Sequence, residues 1–419
     1  MKAMRRTLPR EYACIFAPAL PLQALVRSEP DLADRPLATV AGEGTRAAVS
    51  HASRAAHDAG VRPGMTPTQA RSIAPATVLR AVPAPVVEAA ASALLDVGLA
   101  HSPAVQVFAP GAVALDVSGT ERAPHSREAL ACVIQSAAAR TGLRVRVAIA
   151  SGPRIALIAA RAVPEVTVLP RGGEAAFLAP LPIRALDPPQ DLGNVLDRLG
   201  VRTIGALAAL DRRGIGIRLG PEAFALHRLA RGEDGTRLEP VAAAETFEEV
   251  TALDYSLDNA EPLIFLVAAA LERLTARLEA RLVAPAAVRV ALDLDPRGVH
   301  TVFVTLPAPS SDVRSLAGLI RLALDERPPP EPVRGLRVQA VPGARVPVQG
   351  HLFGPPMPEP SRLATLVTRL AALAGTDRVG APAVADERGP DPAAVRPFDP
   401  PAIEEERARG AAAAARAVL

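Results

Sequence analysis

Lysine is almost missing from this chain: Lys2 is the only one, and every other basic side chain is arginine. Tryptophan is absent, and cysteine and tyrosine occur twice each. Cys14 and Cys132 lie far apart, neither at zinc-ligand spacing from a histidine, so a zinc site and a disulfide framework are both excluded. Cys14 falls in the apolar run Tyr12-Ala13-Cys14-Ile15-Phe16, where a buried thiol is the plain reading. No unbroken apolar run is long enough to span a bilayer. The basic stretch Met1 to Arg10 is not followed by the apolar core of a signal peptide, and a cytoplasmic protein is the expectation. The net charge of +3 implies no nucleic acid by itself. The arginine excess comes with abundant alanine and proline, the composition of a GC-rich genome, and only clustered arginines would mark a phosphate-binding surface.

What is present is ample core material. Nearly half of the 419 residues are apolar, enough for roughly two to four domains. Strands are expected at 12–17, 37–40, 47–50, 77–80, 105–108, 112–117 and 144–150, alternating with helices at 53–59, 66–73, 85–100, 126–141 and 153–162. Thr66 with Pro67 behind it is a helix-start signal. This alternation predicts a mixed sheet with packed helices. Residues 180–235 read as helical, and 245–342 as β-α-β-β-α-β. A helix at 359–374 and a polar, partly disordered tail complete the reading.

Three stretches carry a family resemblance. Val49-Ser50-His51-Ala52-Ser53-Arg54 through Gly60, Gly64 and Met65 is similar to the finger segment of the Y-family (translesion) DNA polymerases. Ala114-Leu115-Asp116-Val117-Ser118-Gly119-Thr120 resembles the end of their palm motif, S-x-D-E-A-F-L-D-V-T-G-T. Leu199-Gly200-Val201-Arg202-Thr203-Ile204-Gly205 resembles their thumb helix-hairpin-helix, and the unit opening at Glu245-Thr246-Phe247 resembles the little finger. The resemblance implies an α+β multidomain fold. Residues 1–20 and 76–178 would be palm-like, 21–75 fingers-like, 179–240 thumb-like and 245–342 little-finger-like. Residues 343–358 would be a linker, and 359–419 a C-terminal extension.

The catalytic positions of that family are empty of acid. Phosphoryl transfer needs two metal ions held by carboxylates. Here the Asp-x-Asp positions of the first strand are Phe16 and Pro18, and the Asp-Glu positions of the palm motif are Gly111 and Ala112. The finger Tyr and Arg that hold the triphosphate correspond to Arg54 and His57. No catalytic residue, cofactor or metal is therefore expected. Asp116, His51 and His57 read as structural or surface residues. A working polymerase with relocated ligands has only Glu11 and Asp116 to offer. A generic structural DNA-binding protein is the other alternative.

Two binding features remain. A helix-hairpin-helix grips phosphates through backbone N–H groups, which points to Gly200, Arg202, Thr203 and Gly205, with Arg198, Arg212 and Arg213 around them. The Gly-x-Gly that opens the family's thumb hairpin is here Asp187-Pro188-Pro189-Gln190, which weakens that grip. Farther on, Gln349-Gly350-His351-Leu352-Phe353 resembles the bacterial sliding-clamp-binding peptide Q-L-x-L-F. Gln349, Leu352 and Phe353 are its anchors, and flanking prolines lower its ordering cost. A dead palm with such a peptide resembles the ImuB-type group of bacterial mutagenesis cassettes. That resemblance implies damaged or primer-template DNA, the clamp, an error-prone C-family polymerase and a RecA-like accessory protein as partners in an SOS-type response.

Overall fold

The computed structural model describes residues 10–119, 126–164, 166–242, 246–306 and 309–344, together with short pieces between 366 and 396. The chain forms two compact units, residues 1–244 and 245–419.

The first unit is organised by a strand with no acidic residue. β1 (Tyr12–Phe16) lies at the centre of a five-stranded sheet, antiparallel to β6 (Ala112–Asp116) and β7 (Arg146–Ala150). β5 (Val105–Ala109) and β8 (Thr167–Val168) form the edges. A strand buried on both faces reads as a continuous apolar run, and Tyr12 to Ile15 are buried throughout. On one face lie α4 (Ala84–His101) and α5 (Arg127–Arg140). Gly98 lets α4 come close, since a Cβ there would stand 3.1 Å from Val113 and 3.2 Å from Val105. α4 has the length and apolar composition of a membrane span, yet 44% of that window is buried inside the protein. On the other face, Cys14 and Ala148 pack with α6 (Pro153–Ala162) into a core shared with the helices that follow. Those are α7 (Glu174–Leu178), α8 (Gln190–Arg198), α9 (Ile204–Ala208) and α10 (Arg212–Ala230).

Before α4, the chain runs through α1 (Leu20–Ser28) into a three-stranded sheet of order β3-β2-β4. These strands are β2 (Leu37–Ala41), β3 (Ala48–Ala52) and β4 (Val78–Ala81). Ala56 of α2 (Arg54–Asp58) and Ala70 of α3 (Pro67–Ile73) pack onto it. α3 starts as the sequence predicts: Thr66 and Gln69 form a reciprocal capping box with Pro67 at the first turn.

The second unit is a four-stranded antiparallel sheet of order β11-β10-β12-β9. Its strands are β9 (Phe247–Leu257), β10 (Val283–Leu294), β11 (Val299–Thr305) and β12 (Val333–Ala344). α11 (Ala260–Ala280) and α12 (Val313–Glu326) cover one face. Strict alternation, buried at Phe247, Glu249 and Thr251 and less so between them, follows from one covered face and one open face. Glu249 is buried with Arg277 at 2.8 Å and Arg273 at 3.2 Å, and Arg277 also sits over the Phe247 ring at 5.8 Å. A hairpin, β13 (Ala381–Val384) with β14 (Ala393–Arg396), was not foreseen from the sequence. The helix expected at 359–374 falls almost wholly outside the described residues.

Candidate functional site

The four positions expected to correspond to catalytic carboxylates, Phe16, Pro18, Gly111 and Ala112, meet at one end of the central sheet. Phe16 pairs with Ala112, and the Ala17 N–H donates to the Gly111 carbonyl at 2.8 Å. Pro18 is fixed beside them: Gln23 Nε2 donates to its carbonyl at 2.8 Å and to that of Arg144 at 2.9 Å. Gly111 has φ +85°, and a Cβ there would lie 3.0 Å from the Ala17 carbonyl oxygen. An aspartate at this position would be strained in this backbone.

Arginines stand where the carboxylates are missing. Arg146 is opposite Phe16 on β7 and donates to the Arg161 carbonyl at 2.9 Å. The Arg161 guanidinium lies over the Phe16 ring at 5.7 Å and 3.9 Å from Asp187. Burial pushes the neighbouring Cys14 thiol up to about 12, with Arg161 pulling weakly the other way. The strand ends here offer Phe16, Gly111 and Ala112, none of them a hard oxygen side-chain ligand for a divalent cation. Nothing in the sequence marks Arg146 or Arg161 as members of this cluster. The only available hint was the alternation from Arg144 to Ala150, which fixes a strand but not its register.

The remaining carboxylates sit at the far end of the same strands. Asp116 pairs with Tyr12, four positions from Phe16, which is about 13 Å along a strand. Its Oδ1 accepts the Ser118 N–H at 2.8 Å, a turn-closing role. Glu11 is ion-paired with Arg127, and with Arg171 at 3.4 Å. Among the described residues no group of three or more His, Cys, Asp or Glu could hold a metal.

The positions expected at the triphosphate clamp face solvent. The Arg54 side chain is 96% exposed and pairs with Asp58 at 3.8 Å, while His57 is half exposed. Ser53 caps α2, accepting from the Ala56 N–H. His51 is partly buried, which lowers its pKa, and its ring lies 3.4 Å from the Thr39 hydroxyl. Gly60 and Gly64 take φ of +100° and +89°, the left-handed turns that hold this segment together.

At the helix hairpin several of the backbone donors are bonded within the protein. Thr203 caps α9 through the Ala206 N–H. The Ile204 and Gly205 N–H groups donate to the carbonyls of Leu181 and Ala179, both at 2.9 Å. A Cβ on Gly205 would stand 3.0 Å from that Ala179 oxygen, so this glycine serves packing. Gly200 has φ +75° and donates to Asp197. These donors are already satisfied within the protein and are not free for a phosphate. At the preceding turn, Asp187 is left-handed (φ 54°), and Pro188 and Pro189 have no N–H to offer. Arg202 is exposed at the hairpin, as are Arg198, Arg212 and Arg213, with Arg212 lying 3.6 Å from Glu233.

The open face of the second sheet carries side chains in rows across the strands. Phe303, Arg289, Gln339 and Glu248 are successive register partners, as are Thr301, Ala291, Arg337 and Val250. Arg289 and Arg337 are exposed, and Arg337 lies 3.5 Å from Glu248. The clamp-peptide residues Gln349, Leu352 and Phe353 lie outside the described residues.

Residues 15–161 match the impB/mucB/samB family. Over 350 residues the chain is 29% identical to Protein ImuB of Caulobacter vibrioides, covering 82% of this chain and 76% of that one. It is 29% identical over 243 residues to a protein named DNA polymerase IV from Methanoculleus marisnigri, covering 57% of this chain and 67% of the relative. Among solved structures, DinB from Sulfolobus solfataricus aligns at 19% identity with a TM-score of 0.47, over 79% of this chain and 98% of the other.

Proposed function

We propose that this chain, whose residues 15–161 match the impB/mucB/samB family, works as a non-catalytic, DNA-binding, Y-family-like adaptor in bacterial translesion synthesis. On this reading it joins the sliding clamp, through Gln349, Leu352 and Phe353, to an error-prone polymerase. The observation that carries the reading is the centre of the palm-like sheet. Phe16, Gly111 and Ala112 converge there under Arg161, none of these strand-end positions is acidic, and the nearby Asp187 carboxylate is paired with Arg161. Two-metal phosphoryl transfer needs the opposite charge in that place. The 29% identity to Protein ImuB supports the ImuB-type resemblance read from the sequence.

DNA contact on this reading is made chiefly by side chains. Arg202 at the hairpin and Arg289 and Arg337 on the open sheet face are the exposed cations involved. Binding of this kind is sequence-tolerant, because phosphate contacts position a protein without reading bases.

A working polymerase is the second reading, favoured by the relatives named DNA polymerase IV. It would have to recruit Glu11, already held by Arg127 and Arg171, and Asp116, already closing its own turn. Primer extension with Mg²⁺ and with Mn²⁺, run beside a clamp-binding assay, separates the readings. The adaptor reading expects clamp binding and no extension with either metal. Extension abolished by Asp116→Ala would establish the polymerase reading. DNA binding without clamp binding would leave a generic structural DNA-binding protein.

A further inference from the structure

The edges of the second unit's sheet are built differently. β9, on one side, carries Glu248, Glu249 and Asp254, and its pairing with β12 shifts register between Val333 and Gly335. Charges and bulges of this kind keep an edge from pairing with other chains. β11, on the other side, has neither. Its seven residues, Val-His-Thr-Val-Phe-Val-Thr, include no proline and no Asp, Glu, Lys or Arg. They pair with β10 in an unbroken register from Ala287↔Thr305 to Asp293↔Val299. Val299 is 63% exposed and Phe303 56% exposed. β11 is thus a straight, strongly β-forming edge, with no partner on its outer side among the described residues.

We propose that β11 is a self-association edge, at which two copies of this chain pair their β11 strands antiparallel about a two-fold axis at Val302. The strand is nearly self-complementary when reversed. In that register Val302 meets its own copy, Thr301 lies across from the copy's Phe303, and Val299 lies across from the copy's Thr305. Each of these pairs joins a β-branched residue to an aromatic or β-branched one, the kind of cross-strand contact that stabilises a ladder. No like charges oppose each other. The two four-stranded sheets become one continuous sheet, and the two-fold axis closes the assembly so that no further copy adds. The interface is a single short strand and buries less than the roughly 800 Å² per partner of a standard interface. The dimer is therefore weak and concentration-dependent. None of this depends on whether the chain binds DNA or the clamp.

The test is sedimentation of the full chain, free of DNA and under reducing conditions so that exposed Cys132 does not cross-link. A monomer–dimer equilibrium with Kd on the order of 10–100 µM is expected. Thr301→Lys with Phe303→Lys puts like charges directly opposite across the axis, and should raise Kd about tenfold or more. Thr301→Lys with Phe303→Glu puts opposite charges there, and should return Kd to within about threefold of the unchanged chain. Both positions changed are on the solvent face, and far-UV circular dichroism checks that each variant is folded. A chain that stays monomeric to about 200 µM overturns the proposal. So does a dimer that the Lys/Lys pair leaves intact, or one that the Lys/Glu pair fails to restore.

Discussion

The guanidinium of Arg161 lies 5.7 Å over the ring of Phe16. Phe16 stands at the strand position where Y-family polymerases are expected to hold a metal-binding aspartate. A cation over an aromatic face is a favourable contact in its own right. Phe16, Arg161 and Arg146 are tied together here: Arg146 donates to the Arg161 carbonyl, and the Arg161 guanidinium lies over Phe16.

Carboxylates cannot simply be put back. Gly111→Asp places a side chain at φ +85°, facing the Ala17 carbonyl at 3.0 Å. The variant should be less stable by about 1–3 kcal/mol, read as a lower urea midpoint. It should also gain no metal-dependent extension. Unchanged stability would show that the turn tolerates an acidic residue.

The second unit depends on one buried acid. Glu249 balances Arg273 and Arg277, all of them buried. Glu249→Gln keeps the shape and removes the charge, leaving two buried guanidiniums without it. About 3–5 kcal/mol of stability should be lost, seen in chemical denaturation of the full chain as early loss of the second unit's structure. A loss under about 1 kcal/mol would mean that solvent already screens the cluster.

DNA binding should be modest and salt-sensitive. If Arg289 and Arg337 each neutralise one phosphate, replacing both with alanine should lower the slope of log K against log salt by roughly two. Affinity should drop equally for unrelated sequences. Thr203→Ala, by contrast, removes the α9 cap; it should cost about 1 kcal/mol of stability and leave the salt slope unchanged. A slope that moves with Thr203 and not with the arginines would return the phosphate grip to the hairpin.

The clamp peptide should rest on its two apolar anchors. Leu352→Ala with Phe353→Ala should weaken clamp binding by about 2–4 kcal/mol, roughly thirty-fold or more. Gln349→Ala should cost less, because water replaces part of its hydrogen bonding. Titration calorimetry with purified clamp measures both, and DNA affinity should not change.

The cysteines should differ sharply toward alkylating agents. Only the thiolate reacts. Cys14 is buried with its thiol pushed up to about 12, while Cys132 is exposed. Native protein at pH 8 should take one label, on Cys132, and a second only after denaturation. Fast native labelling of Cys14 would show that the core around β1 opens readily.

The sequence by itself determined what depends on residue identity and short spacing. That Phe16, Pro18, Gly111 and Ala112 are not acids can be read without coordinates, and so can the helix start at Thr66-Pro67 and a strand at β7, though not the burial of β7 on both faces. Tertiary structure decided everything that depends on which distant groups meet. It brought Arg161 onto Phe16, gave the Gly205 N–H to the Ala179 carbonyl, and set Arg273 and Arg277 around Glu249. It also left β11 at the sheet edge. Local rules fix caps and periodicity, because the interacting groups are held within a few bonds of one another. Register and strand order are set by burying whole faces together, which no short window of sequence contains.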